Sequence, residues 1–397
     1  MQPERTRVLV QLNSLELGGT QLNAVDFARE LSRHGFESVL VGDSRTLPVG
    51  PSLLDVARSH GIEIQLYEAS DSMTTRARQL SRLAREHAVD LVHVYGTWDS
   101  GARSTYWGPA RFGRRPWLQT VYEMEVHPTV MGHMPLVIGT EYLRDELATR
   151  PGGAVLVRPP VDTRMDRPCE VAGDRFREEH GLSGVLITIV SRLDPDMKAL
   201  PVSVAMQAIE QFGDDATLVV VGTGRDAVRL NELGEGVNDR LGRGAVRFIG
   251  ALSDPRPAYQ AADIMLGMGG SAARSLACGK PLVVQGESGW SCRFEEPTAA
   301  ALARNSYWSP TVVSEPVAML VEQLRPLVDD VELRARLGEF GRRFAEETFG
   351  LTAMAGHLAQ TYRDAAQYGL REWTADIGPE LRSAVRKVVR HRGSGGE

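Results

Sequence analysis

The sequence predicts an α/β protein built from two doubly wound, Rossmann-like domains that face each other across a central cleft. Three observations predict it. At 397 residues the chain exceeds what one hydrophobic core usually supports. Short apolar runs alternate with helical patterns along most of its length, and glycine turns follow several of the runs. Residues 161–181 interrupt the alternation with Arg164, Asp166, Arg167 and Pro168 in a stretch of little periodicity, which reads as a linker between two similar halves.

The first half opens with a strand over residues 7–12, a glycine turn at Gly18 and Gly19, and a helix over 21–34 with apolar positions Leu22, Val25, Phe27, Ala28 and Leu31. Strands follow at 38–42, 63–66, 90–95, 117–122 and 136–139, with helices at 52–60 and 76–87 between them. The second half repeats the pattern with strands at 185–190, 216–222, 246–250, 264–266 and 281–285. Its helices are expected at 203–212, 225–233, 257–262 and 271–277. Runs this rich in Val, Ile and Leu suit parallel strands buried on both faces. The domain boundaries read as 1–165 and 166–350, with a basic tail over 376–397. Ligands of such sheets bind at the carboxyl ends of the strands, so the cleft is the expected site.

A net charge of -6 argues against a nucleic-acid partner. No apolar run approaches the roughly 20 residues of a membrane span, and Met1-Gln-Pro-Glu-Arg-Thr-Arg7 leads straight into a strand instead of a signal peptide. A cytoplasmic protein is the expectation. Cys169, Cys278 and Cys292 are too few and too irregularly spaced for a disulfide framework or a CxxC metal site, so buried thiols are the expectation. The basic stretch 382–392 could make weak peripheral contact with acidic lipid, or could simply be a solvated, frayed end.

Arg192 and Lys198 lie six positions apart directly after the apolar run 185–190. Two donors there would neutralise a phosphate or diphosphate that gains charge as a bond to it breaks. Lysine is scarce: the chain has only Lys198, Lys280 and Lys387. A compact ammonium where arginine is the prevailing cation suggests a chosen point charge. Further glycine turns stand at Gly222 and Gly224 and at Gly269, Gly270 and Ser271, where a short helix begins with Arg274 one turn further in. Free amides at such helix starts could hold phosphate or sugar oxygens. Trp98, Tyr106, Trp107 and Trp117 cluster in the first half, where flat faces could stack on an acceptor or could be core. His93, after a strand, and His127 are candidates on the same side.

Together these features resemble the retaining, GT-B-fold glycosyltransferases of family 4, in group 1 of the glycosyl transferases, over nearly the whole chain. The matching elements are Leu17-Gly-Gly-Thr20, Asp90-Leu-Val-His93, Arg158-Pro-Pro-Val-Asp162, Ser191-Arg-Leu-Asp-Pro195 through Lys198, Val221-Gly-Thr-Gly224, Phe248-Ile-Gly250, Ala262-Asp263 and Ala277-Cys-Gly-Lys-Pro281. The resemblance implies a UDP- or GDP-linked sugar held mainly by the second domain and an acceptor held mainly by the first. It implies no cofactor or metal, because Arg192 and Lys198 neutralise the diphosphate. It also implies that a terminal helix within 351–375 crosses back to complete the first domain.

Two departures from the family pattern stand out. The segment 266–277 lacks the first of two glutamates the family carries there, and Arg274 stands where the second belongs. Glu287, after the next strand, is a candidate replacement for the ribose contact. Tyr122 stands where the family commonly has a histidine that contacts the donor sugar, which would keep a hydrogen bond and alter donor choice.

The favoured expectation is retaining transfer of a sugar to a small-molecule acceptor in antibiotic or other specialised biosynthesis, the missing glutamates pointing to an unusual donor sugar. The alternatives are an envelope-polysaccharide enzyme using a common hexose, and a nucleotide-binding GT-B-like protein without turnover.

Overall fold

A computed structural model describes residues 5–48, 50 and 52–393, with the side chains of 384–393 outside the description. The chain divides into two compact units, Met1–Pro160 with Leu351–Glu397, and Val161–Gly350. Each is a helix-covered, mostly parallel sheet, the α/β class that the alternating pattern predicts.

The first unit holds strands β1 (Thr6–Gln11), β2 (Phe36–Asp43), β3 (Ile64–Tyr67), β4 (Leu91–Tyr95), β5 (Trp117–Val121), β6 (Leu136–Ile138) and β7 (Ala154–Leu156). They pair in the order β3-β2-β1-β4-β5-β6-β7, all parallel. Because successive side chains alternate, Val8 and Val10 feed one core layer while Leu9 feeds the other. One layer includes residues of the helices Gly19–Leu31 and Leu351–Ala365. The other includes Leu80 and Ala84 of the helix Met73–Glu86. Strand order reverses between β1 and β4, which opens a crevice at their carboxyl ends.

The second unit holds β8 (Val185–Val190), β9 (Ala216–Val221), β10 (Val246–Gly250), β11 (Ile264–Gly267), β12 (Leu282–Gln285) and β13 (Ser291–Arg293), in the order β10-β9-β8-β11-β12-β13. Only β13 runs antiparallel, against β12. Here the reversal falls between β8 and β11. Ile187, Ile189 and Val220 pack with the helix Ala199–Ile209, and Leu320 and Leu324 of the helix Pro316–Asp329 join the same layer.

Three organisational expectations are corrected. The chain divides between Pro160 and Val161, not at 165, and the presumed linker contains the helix Glu170–His180, closed by Gly181 in the left-handed conformation. That helix carries little apolar periodicity because it packs by close approach. A Cβ on Gly173 would stand 2.6 Å from the Gln260 carbonyl oxygen, and Phe176 is its one large buried side chain. The expected frayed tail is a helix too, Leu370–Gly393, with 394–397 outside the described residues. It docks on the first unit through polar groups instead of an apolar stripe. Glu380 pairs with Arg111 at 2.6 Å and accepts from the Tyr106 hydroxyl, while Trp373 donates to the Arg111 carbonyl. No helix among the described residues is long and apolar enough to cross a membrane.

Candidate functional site

The loop after β8 carries Arg192 and Lys198 to the switch point of the second sheet. Its backbone turns sharply, with the Ala199 amide donating to the Asp194 carbonyl at 3.0 Å and Met197 at a φ of 65°. A non-glycine residue in that region stores strain, and such strain gathers at functional sites. The turn delivers Lys198 into a small pocket lined by Ser191, Gly267, Met268, Ser271 and Gln285. Among the described residues Lys198 Nζ has no hydrogen-bond or ion-pair partner. Burial, seconded by the Arg192 charge, pulls its pKa down to about 8 against the opposing influence of Glu287. A partly buried ammonium without a partner is a costly feature in a folded chain.

Arg192 is 69% exposed and lies 3.5 Å from the Asp194 carboxylate. Glu287 follows β12 and is held in place by the Trp308 indole, which donates to it at 3.0 Å. The helix Gly270–Ala277 starts beside the same pocket; Gly269 takes a φ of 56°, and neither it nor Gly270 has an atom within 4 Å of where a Cβ would stand. The Ser271 hydroxyl donates to the Met268 carbonyl at 3.0 Å, which tightens the turn. Lys198, Ser271 and Glu287 therefore converge on one edge, which is an arrangement able to receive an anion with hydroxyl groups beside it.

Other candidates have different employment. Arg274 turns to Asp166 at 3.0 Å, whose carboxylate is 4% exposed and whose pKa is raised by burial against the pull of Arg274. The position that should touch ribose is thus taken up in an internal ion pair. Gly222 and Gly224 are required by packing: a Cβ would stand 1.8 Å from the Ser191 carbonyl oxygen at the first and 2.5 Å from the Leu193 backbone at the second. They lock the loop after β9 onto the loop that bears Arg192.

In the first unit, Gly18 caps the helix Gly19–Leu31, and a Cβ there would strike the Gln21 amide oxygen, while Gly19 faces open space. His93 is a correction. It is wholly buried, its Nδ1 shares a 2.7 Å hydrogen bond with the Tyr362 hydroxyl and its Nε2 another of 2.7 Å with Thr120 Oγ1. Burial depresses its pKa to about 3, so it is a neutral core residue with both nitrogens spent. The aromatic cluster is core as well, with Trp98, Tyr106 and Trp117 packed edge to face at centroid separations of 5.2–6.1 Å. Trp98 is 7% exposed, too little to offer a stacking face. Tyr122 follows β5 with its hydroxyl buried and without a hydrogen-bond partner among the described residues, and burial raises its pKa. His127 is exposed, its Nδ1 sharing a 2.6 Å hydrogen bond with Thr129.

A larger cavity, about 550 Å³, lies at the amino ends of β5, β6 and β7. It is at the edge of the first sheet opposite to its switch point, and its Arg111 is already neutralised by Glu380. Among the described residues no group of three or more His, Cys, Asp or Glu could hold a metal ion.

Sequence reasoning missed Arg225, Asp194, Asp166 and Trp308. Arg225 had a signal, since it directly follows the turn at Gly224; the indole that orients Glu287 lies 21 positions away and had none.

Fold and site define a class: a two-unit α/β protein whose second sheet presents a cationic switch point. A sequence model of the family described as Glycosyl transferases group 1 matches residues 184–304, which contain that switch point. No curated protein matches the chain in sequence. Among solved structures, the chain is similar to HepE of Anabaena in complex with UDP, at 16% identity and a TM-score of 0.67, covering 90% of this chain and 100% of that one. It is similar to a glycosyltransferase from Rickettsia africae, at 14% identity and a TM-score of 0.70, covering 92% and 100%. WaaG, a glycosyltransferase involved in lipopolysaccharide biosynthesis, aligns at 17% identity and a TM-score of 0.56, covering 89% and 99%. These likenesses extend over nearly the whole chain and show the GT-B fold.

Proposed function

We propose that this protein is a retaining glycosyltransferase that moves a sugar from a UDP- or GDP-linked donor to a small hydroxyl-bearing acceptor without a metal. The observation that carries the reading is Lys198, an ammonium without a hydrogen-bond or ion-pair partner among the described residues, held in a pocket at the switch point of the second sheet. A diphosphate leaving its sugar gains negative charge, and a fixed cation that is already desolvated stabilises that charge without reorganising. Arg192 supports it from the solvent side. Glu287, its orientation fixed by Trp308, keeps one carboxylate oxygen for the hydroxyl groups of the donor. The leaving oxygen can accept the acceptor's proton, so retention needs no separate base. HepE, similar in fold, is a UDP complex, which favours UDP over GDP as the first donor to try.

The departures at Arg274 and Tyr122 support an unusual donor sugar, and a specialised-metabolite acceptor is the reading we favour. The similarity to WaaG keeps an envelope polysaccharide as the second reading. The test is calorimetric titration with UDP and GDP, followed by donor hydrolysis and transfer across a panel of nucleotide sugars. Nucleotide binding with turnover of at least one donor is expected. Tight binding without any turnover would leave a nucleotide-binding protein, and no binding of either nucleotide would remove the proposal.

A further inference from the structure

We infer that Arg225 is a third cation of the diphosphate site, held in the free protein by Asp194 and by the exposed Asp196, and that an incoming diphosphate competes with these two carboxylates for it. The inference rests on the glycosyltransferase reading above and adds to it a residue outside its expected motif.

Arg225 reaches the site because two loops are locked together. The Leu193 amide donates to the Thr223 carbonyl at 2.9 Å and the Asp226 amide returns to the Leu193 carbonyl at 2.8 Å. Gly222 and Gly224 permit that contact, since neither position has room for a side chain. Arg225 follows at once, so its guanidinium is presented at the same strand edge as Arg192 and Lys198.

At that edge the Asp194 carboxylate lies between two guanidinium groups. It is 3.5 Å from Arg192 and 3.7 Å from Arg225, and it accepts from the Arg225 backbone amide at 3.3 Å. Arg225 places its other nitrogen 3.0 Å from Asp196. Three cations, Arg192, Lys198 and Arg225, thus face three carboxylates, Asp194, Asp196 and Glu287. A diphosphate entering this balanced set gains little from it unless a carboxylate yields its place. Asp196 can yield, because it is 84% exposed and returns to water. The arginine fork then meets phosphate oxygens in the geometry it prefers. Arg274 offers the contrast: its partner Asp166 is 4% exposed, and separating them would strand a buried carboxylate. One arginine of the unit is exchangeable and the other is not.

The test is titration of the whole protein with UDP and GDP, pursued with the nucleotide the wild type binds, beside uridine or guanosine as the phosphate-free probe. Arg225→Ala is expected to weaken the nucleoside diphosphate by about tenfold, the loss of one charge-assisted contact, and to leave the nucleoside unchanged. Arg225→Lys should recover part of the loss. Asp194→Asn, which removes the charge that Arg192 and Arg225 share and keeps an oxygen for the Arg225 amide, should tighten the diphosphate several-fold. Lys198→Ala serves as the reference. If it weakens the diphosphate while Arg225→Ala and Asp194→Asn do not change it, the Arg225 inference is overturned and the glycosyltransferase reading stands. If all three leave it unchanged, or if the wild type binds neither nucleotide, both fall.

Discussion

His93 and Lys198 both stand at the strand-order reversal of their sheets, on opposite sides of it: His93 lies within β4, the counterpart of β11, and Lys198 follows β8, the counterpart of β1. Both are titratable and desolvated, and in both burial disfavours the charged form. They differ in partners. His93 has a hydrogen bond on each nitrogen, whereas Lys198 Nζ has none among the described residues. Similar folding of the two halves therefore produces a saturated core residue in one and an unspent charge in the other, and only the second asks for a ligand.

The sharpest way to break the comparison is to remove each residue. Lys198→Ala is expected to cut sugar transfer by about a hundredfold or more, the scale on which one pre-organised electrostatic contact acts, with the fold intact by circular dichroism. Arg192→Ala should cost about tenfold, because a residue 69% exposed works through solvent screening. His93→Phe should do the reverse. It strands the Tyr362 and Thr120 hydroxyls in the core and should cost about 2–4 kcal/mol in urea unfolding while nucleotide affinity stays unchanged.

The pH dependence separates the two residues again. The folded pKa of His93, about 3, lies below the unfolded 6.5, so the unfolded chain binds the proton more readily between these values. The stability it supports is complete above pH 6.5 and drains as pH falls toward 3; His93→Phe should flatten that part of the acid limb. For Lys198 the folded value near 8 lies below the unfolded 10.5, so a charged buried amine costs stability up to pH 8 and the cost fades by pH 10.5. Lys198→Met should therefore raise the melting temperature of the nucleotide-free protein by a few degrees at pH 7, less at pH 9, and not at all above 10.5. A variant more stable and less active would mark the position as one held for function.

Much of this was legible in the residues. Apolar runs such as Val185 to Val190 specify buried parallel strands almost by themselves, and the scarcity of lysine singled out Lys198. What the sequence hid was partnership. Nothing local to Asp90-Leu-Val-His93 announces that Tyr362, 269 positions on, completes the histidine, and nothing near Arg274 announces Asp166. The helices Glu170–His180 and Leu370–Gly393 escaped because their contacts are a close-packed glycine in one and polar side chains in the other. Periodicity detects apolar faces, so elements docked by other means are invisible to it.

With only three lysines in the chain, the state of Lys198 can be watched directly. Carbon-13 labelling of lysine side chains should give three resonances whose pH titrations are separately resolved, with Lys198→Arg assigning the one of interest. That resonance is expected to titrate near pH 8 in the free protein and to move above 10 when UDP or GDP is added, as a diphosphate supplies the missing partner. A Lys198 signal that titrates near 10.5 in the free protein, or stays near 8 with nucleotide bound, would contradict the account.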